Sequence, residues 1–155
     1  MARARAPQIN DEQLDAWRAF LGAQAEVLHT LSKELEEEQG LPLTFYDVLA
    51  QLSRAGGRLR MSKLADAVVL SRSGVTRLVD RMVRAGLVRR EACPTDRRSS
   101  YAVLTPAGKK ALKQASPVHA RGIEEHFARH VSDDEAKTLA AVFGRMVASP
   151  DDDTC

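Results

Sequence analysis

The chain predicts a mainly α-helical fold with a small β-hairpin: a helix-turn-helix followed by the hairpin, enclosed by N- and C-terminal helices. Three observations predict it. Leu14, Leu21, Leu28 and Leu35 recur every seven residues, with Trp17, Gln24 and Leu31 three places after the first three of them, which describes one long helix with a single seam. Residues 71–105, SRSGVTRLVDRMVRAGLVRREACPTDRRSSYAVLT, pass from helical spacing to two short strand-like runs around a turn. The charge is uneven as well. From Arg54 to Arg98 there are 12 Lys/Arg against 4 Asp/Glu, and elsewhere 11 against 17, although the whole chain of 155 residues nets only +2. A basic middle between acidic flanks is the footprint of a polyanion-binding segment.

The elements follow in order. Residues 1–10 carry two arginines with no apolar run behind them, so they read as a disordered arm and not as a secretory signal. Helix one is expected over Asp11–Gln39, with Phe20 and Val27 widening its stripe. So long an apolar face on so small a chain points to a dimer interface. Glu34, Glu36, Glu37 and Glu38 crowd its end, where the macrodipole disfavours anions, and read as a solvated face. After Pro42, Thr44 looks like an N-cap with Asp47 completing an imperfect capping box, which starts helix two near Phe45 and runs it to Arg54. Arg58–Arg60 reads as a short strand, and Ser62 as the cap of helix three.

Ser71 is the expected N-cap of helix four, whose buried stripe would be Val75, Leu78, Val79, Met82 and Val83, with Gly86 closing it. Two short helices joined by a tight turn, the second basic on its outer face, make a helix-turn-helix. That outer face carries Arg72, Ser73, Thr76, Arg77, Asp80, Arg81 and Arg84. The small first turn lets the helix approach DNA closely, and Arg72 and Arg77 have the fork for bidentate contact with guanine. Arg81 and Arg84 lie further along, toward phosphate or solvent. Leu87–Cys93 and Ser100–Thr105 read as antiparallel strands joined by Pro94, Thr95 and Asp96. Arg98, with Arg97 beside it, is suited to a minor groove, whose negative potential attracts guanidinium. Asp96 would be repelled by DNA, so its expected work is bracing the loop or the arginines.

Thr105-Pro106 restarts a helix that runs toward Val131, with Leu112, Ala115, Val118, Ile123 and Phe127 inward and a kink or break at Pro117. Ser132 and Glu135 form a capping box before the last helix, whose apolar face is Leu139, Val142, Phe143 and Met146. Residues 149–155 read as a disordered acidic tail.

The run Asp96-Arg97-Arg98, five residues, then Leu104-Thr105-Pro106-Ala107-Gly108 resembles the D-x-R-x5-L-T-x-x-G signature of the multiple-antibiotic-resistance regulator (MarR) family. The preceding SRSGVTRLVDRMVRAGLVRR is similar to that family's recognition helix and first wing strand, and the order of elements agrees over about 14–146. The resemblance implies one domain over 11–148: a winged helix-turn-helix at 44–105, with 11–43 and 106–148 supplying homodimer helices. It implies a cytoplasmic repressor that binds a pseudo-palindromic operator in double-stranded DNA and is released by a small, often phenolic, ligand or by an oxidant. By motif match Arg98 is the minor-groove residue and Asp96 its brace, while Ser71, Arg72, Ser73, Thr76 and Arg77 fall on the major-groove helix. The family's ligand pocket lies between the dimer helices and the DNA-binding lobe. There Trp17, Phe20, His29, Phe45 and Tyr46 are the aromatic or polar candidates, with Arg18 for an anionic ligand.

Other chemistry is weaker. His126 and His130 are spaced i, i+4 with Glu125 nearby, but this is not H-E-x-x-H and no cysteine pair joins it, so no metal and no cofactor are expected. The chain has no phosphate loop, nucleophile elbow or triad, which argues against an enzyme. No apolar run approaches the roughly 18 residues of a membrane span. Cys93 and Cys155 are too few for a disulfide framework. Cys93, near Arg89 and Arg90, supports a redox-sensor alternative, although the family's peroxide sensors carry their cysteine in the N-terminal helix, where this chain has none. A second alternative is a ligand-independent architectural or activating DNA-binding protein.

Overall fold

A computed structural model of the chain describes residues 8–68 and 72–147. The elements are α1 (Asp11–Gln39), α2 (Leu43–Arg54), β1 (Arg58–Arg60), α3 (Met61–Ala67), α4 (Arg72–Arg84), β2 (Val88–Ala92), β3 (Ser100–Leu104), α5 (Pro106–His126), a 3-10 turn (Ala128–His130) and α6 (Asp133–Gly144). The mainly helical architecture with a small antiparallel sheet is as expected. The expectations for Ser71, for Cys155, for residues 1–7 of the terminal arm and for the tail at 149–155 lie outside the described residues.

Helix α1 starts where Asn10 and Gln13 cap each other. The Gln13 amide donates to Asn10 Oδ1 at 2.7 Å and the Asn10 amide to Gln13 Oε1 at 3.1 Å. It ends at Gly40, whose φ of 60° few other residues tolerate. Only the C-terminal part of its seam is covered within the chain. Leu31 and Leu35 are buried, whereas Trp17, Phe20, Leu21 and Leu28 are 38–55% exposed. The core gathers Leu35, Val48, Leu49, Leu52, Leu64, Val75, Val79, Met82 and Val118 from five helices, with Val88, Ala102 and Leu104 from the sheet.

Four local expectations are corrected. Helix α2 begins at Leu43 with Pro42 as N-cap and no side-chain cap bond. The Thr44–Asp47 box does not form, and burial of Leu43 and Phe45 carries the helix back past Thr44. Helix α3 begins at Met61 with Arg60, still in extended conformation, as its N-cap, so Ser62 is inside the helix and caps nothing. Pro117 does not break α5. The helix runs through it to His126, with Ala115 and Val118 on either side packed into the core. Ile123 and Phe127, expected inward, are 38% and 43% exposed, and Met146 is exposed too. In α6 Leu139, Val142 and Phe143 are half-buried behind the Ser132–Glu135 capping box.

Two glycines on α5 fix how closely it packs. A Cβ at Gly122 would stand 2.3 Å from Leu31 Cδ2, where α5 crosses α1. Beside that crossing two of the glutamates expected in solvent reach α5: Glu38 pairs with Arg121, and Glu34 Oε1 lies 2.6 Å from His126 Nε2. A Cβ at Gly108 would stand 2.1 Å from the Leu87 carbonyl oxygen, a backbone atom with no room to retreat.

The sheet runs in the order β1-β3-β2, antiparallel throughout, with Arg60 opposite Tyr101 and Arg90 opposite Ala102. β1 therefore anchors the hairpin to the start of α3. Gly108→Ala should lower the melting temperature despite alanine's better helix propensity. The helix gain is at most about 1 kcal/mol, and overpacking against backbone costs about 1–3 kcal/mol. Gly144→Ala, with nothing within 4 Å of its added methyl, should leave melting unchanged or slightly raised.

Candidate nucleic-acid interface

The orientation of α4 is set by what it buries. Val75, Leu78, Val79 and Met82 are at most 6% exposed. Each contributes about 1.5–3 kcal/mol by leaving water. The exposed Asp80–Arg90 ion pair, 3.6 Å long, ties α4 to β2 but contributes at most about 1 kcal/mol. Apolar burial therefore decides which face looks out. The outward residues include Thr76, Arg77, Arg81 and Arg84, with Ser73 in the first turn. Arg72 opens the helix. Val83, expected in the buried stripe, is 39% exposed. Arg81 leans back over the buried Phe45 ring, its Cζ 5.3 Å from the centroid, so α2 holds it rather than the open face.

The hairpin loop is organised by one carboxylate. Asp96 Oδ1 accepts the Arg98 backbone N–H at 2.9 Å, and Oδ2 accepts the Ser99 hydroxyl at 2.8 Å. The Ser99 amide returns to the Asp96 carbonyl at 3.1 Å. Asp96 thus braces the loop through the Arg98 amide and the Ser99 hydroxyl, with the charge of Arg60 also acting on it. The Arg98 amide, then the Ser99 hydroxyl, hold its carboxyl below the usual aspartate range. Arg97 and Arg98 are exposed at this tip, and among the described residues no carboxylate pairs with either. Cys93 is buried at the base of the loop, its Sγ 3.4 Å from Thr95 Oγ1.

Between α4 and the loop lies an open cleft of about 590 Å³, lined by Arg60, Met61, Ser62, Thr76, Arg90, Asp96, Arg98, Ser99 and Ser100. Its wall and floor are predominantly polar and cationic. On the sheet beyond it, Arg58 stacks 3.8 Å from the Tyr101 ring centroid and pairs with Glu91, which also receives Arg89.

The residues considered for a small ligand do not converge. Trp17 packs on Phe20, and Phe20 on Phe143 of α6, with ring centroids 6.1 and 5.2 Å apart. Arg18 pairs with Asp15 at 3.4 Å, and His29 is exposed. Phe45 is core, and Tyr46 packs its ring 4.2 Å from His119. A second, shallower hollow between α2 and α5 is lined by Ser53, Lys109, Leu112, Lys113, Ser116, Pro117 and Ala120, none of them among those six. No sequence pattern pointed to the group formed by Tyr46, Asp47 and His119. There burial raises the Asp47 carboxyl, opposed by His119 and Arg54, and burial lowers the His119 imidazole.

The histidine reading also changes. Donor atoms of Glu34, Glu125 and His126 lie within 4.8 Å of one another, whereas His130 is outside the group. These could hold a cation, but the Arg121 guanidinium already sits beside both glutamates. Among the described residues no helix is long and apolar enough to cross a membrane.

Comparison with known proteins places this arrangement. A model of the MarR family matches residues 39–99, from the end of α1 to the hairpin loop. The uncharacterised HTH-type transcriptional regulator YkoM of Bacillus subtilis is 33% identical over 103 residues, covering 66% of each chain. The solved structure of AbsC, a MarR family transcriptional regulator from Streptomyces coelicolor, is 33% identical with a TM-score of 0.81, over 91% of this chain and 95% of that one. Sco3205, a MarR family regulator from the same organism solved in complex with DNA, is 28% identical with a TM-score of 0.82, over 90% and 91%.

The Asp96 brace is open to direct measurement. Asp96→Ala should speed hydrogen exchange at the Arg98 amide while leaving the core amides protected. In the parent, a carboxyl held low keeps its bonds through neutral and mildly acid pH. It loses them only as pH falls through its own depressed value, so Arg98 protection should persist below the ordinary aspartate range. Unchanged exchange in the variant would remove the brace.

Proposed function

The chain belongs to the MarR family of transcriptional regulators, and on that premise we propose that it is a sequence-specific repressor that grips double-stranded DNA as a homodimer. The observation that carries this reading is the pairing of two outward cationic features across one cleft. They are the Ser73, Thr76 and Arg77 face of α4 and the Asp96-braced tip bearing Arg97 and Arg98. α4 would lie in a major groove, where Arg77 offers a bidentate fork to guanine and the two hydroxyls suit either base edge. The tip would enter the neighbouring minor groove, where Arg98 meets the strongest negative potential.

The homodimer is supported by the apolar surface that one chain leaves uncovered. Trp17, Phe20, Leu21 and Leu28 on α1, with Ile123 and Phe127 at the end of α5, are each 38–55% exposed. So large a set of exposed apolar side chains marks an interaction surface. A two-fold pair of α4 helices would read half-sites about one DNA turn, roughly 10 base pairs, apart. This agrees with an operator of pseudo-palindromic form.

Selection of binding sites from a random duplex library tests the reading. The parent should return a pseudo-palindromic motif. Arg77→Ala should lose discrimination at one or two positions, each by about 1–3 kcal/mol. Arg98→Ala should weaken binding to all sequences by a similar amount and flatten the salt dependence. A parent that binds duplexes but selects no motif would favour an architectural protein. Sedimentation addresses the dimer. The parent should be dimeric at micromolar concentration, and Leu21→Glu with Leu28→Glu should give monomer. A monomeric parent would overturn that part.

A further inference from the structure

The sheet carries four arginines, and their engagement differs. Arg58 is held between Glu91 and the Tyr101 ring, Arg89 pairs with Glu91, and Arg90 pairs with Asp80. Among the described residues Arg60 makes no ion pair or ring contact of this kind. Its Nε is buried and makes no hydrogen bond among the described residues. Its charge acts on Asp96, but both Asp96 carboxylate oxygens already accept from Arg98 and Ser99. A buried donor left unmade costs stability, and since Arg60 as a whole is only half-buried, the outer end of its guanidinium remains open to a partner from outside the chain.

Position supplies the partner's chemistry. Arg60 is the last residue of β1 and the N-cap of α3, and it lines the floor of the cleft between α4 and the hairpin loop. If α4 occupies a major groove and the loop the adjacent minor groove, the strand separating those grooves has to run over this cleft. What that strand presents to the floor is phosphate. We propose that Arg60 is a phosphate clamp, binding the sugar–phosphate strand that separates the two grooves. The inference rests on the DNA-binding reading and adds a site to it. Arginine suits the task because its planar fork matches phosphate oxygens, and a contact to backbone fixes the protein's register without reading sequence. Arg60 would therefore set affinity and the relative seating of helix and wing, while α4 sets the motif.

The test uses the full-length protein and its selected duplex. Single phosphates are replaced in turn by neutral methylphosphonates, and affinity is read by fluorescence anisotropy. The parent should lose about tenfold at one or two phosphates between the major- and minor-groove contacts. Arg60→Gln should bind selected and scrambled duplexes about tenfold more weakly, lower the slope of log affinity against log salt by about 0.9, and no longer respond to those methylphosphonates. The motif it selects should be the parent's. Arg60→Lys should keep the parental salt slope. If Arg60→Gln fails to fold by circular dichroism, the parental scan and the lysine variant decide. A flat scan across the intervening phosphates, or parental affinity and salt slope in folded Arg60→Gln, would overturn the clamp while leaving DNA binding intact. Failure of the parent to bind any duplex would overturn the underlying reading instead.

Discussion

The fold depends on one close-packed junction, where the end of α4, the start of β2 and the first turn of α5 meet. Gly86, at φ 76°, turns the chain out of α4, and the Leu87 amide closes the helix on the Met82 carbonyl at 3.0 Å. Thr105 then does two things at once. Its hydroxyl donates to the Gly86 carbonyl at 2.7 Å and accepts the Gly108 amide at 3.0 Å, tying the turn to the cap of α5. Gly108 lets α5 come down on the Leu87 carbonyl. The hairpin cannot swing relative to α4 without breaking this set. A helix face and a loop tip proposed to engage one duplex would be useful together only if their separation is fixed. Thr105 and Gly108 of the L-T-x-x-G run are thus structural, whereas Asp96 and the Arg98 amide hold the loop.

Much of this was legible in the sequence because it is local. The bounds of α1 follow from a seam at seven-residue spacing and a glycine stop. The outward face of α4 follows from helical period alone, and the Thr105-Pro106 and Ser132–Glu135 caps are contained within four residues. The errors arose where a side chain had a distant alternative. Thr44 and Asp47 have the pattern of a cap, but Asp47 instead lies in the field of His119 and Arg54, and burial pulls the helix start back to Leu43. Pro117 has the pattern of a break, but packing on both sides of it carries α5 through. Val83 fitted the stripe by spacing, yet it faces outward just beyond the reach of the core.

The site was legible to the same degree. Arg77, Arg97 and Arg98 could be read as exposed cations from pattern and turn chemistry. That Arg81 would lean on Phe45, or that Glu34 and Glu38 would reach His126 and Arg121, depends on chain segments far apart in sequence. Arg60 escaped notice for a related reason. In the sequence it is one of several arginines near a short strand, and only the partners of the other three single it out. A usable signal was present in the excess of basic residues from Arg54 to Arg98, which is larger than α4 and the loop tip account for.

Helix and hairpin, so held, are proposed to engage two adjacent grooves of one duplex. Dimethyl sulfate interference reports both in one experiment, since it methylates guanine N7 in the major groove and adenine N3 in the minor groove. Interference is expected at N7 within each half-site and at N3 in the flanking minor groove, a few base pairs outward. Interference confined to one groove, with the flanking minor groove indifferent to methylation, would contradict it.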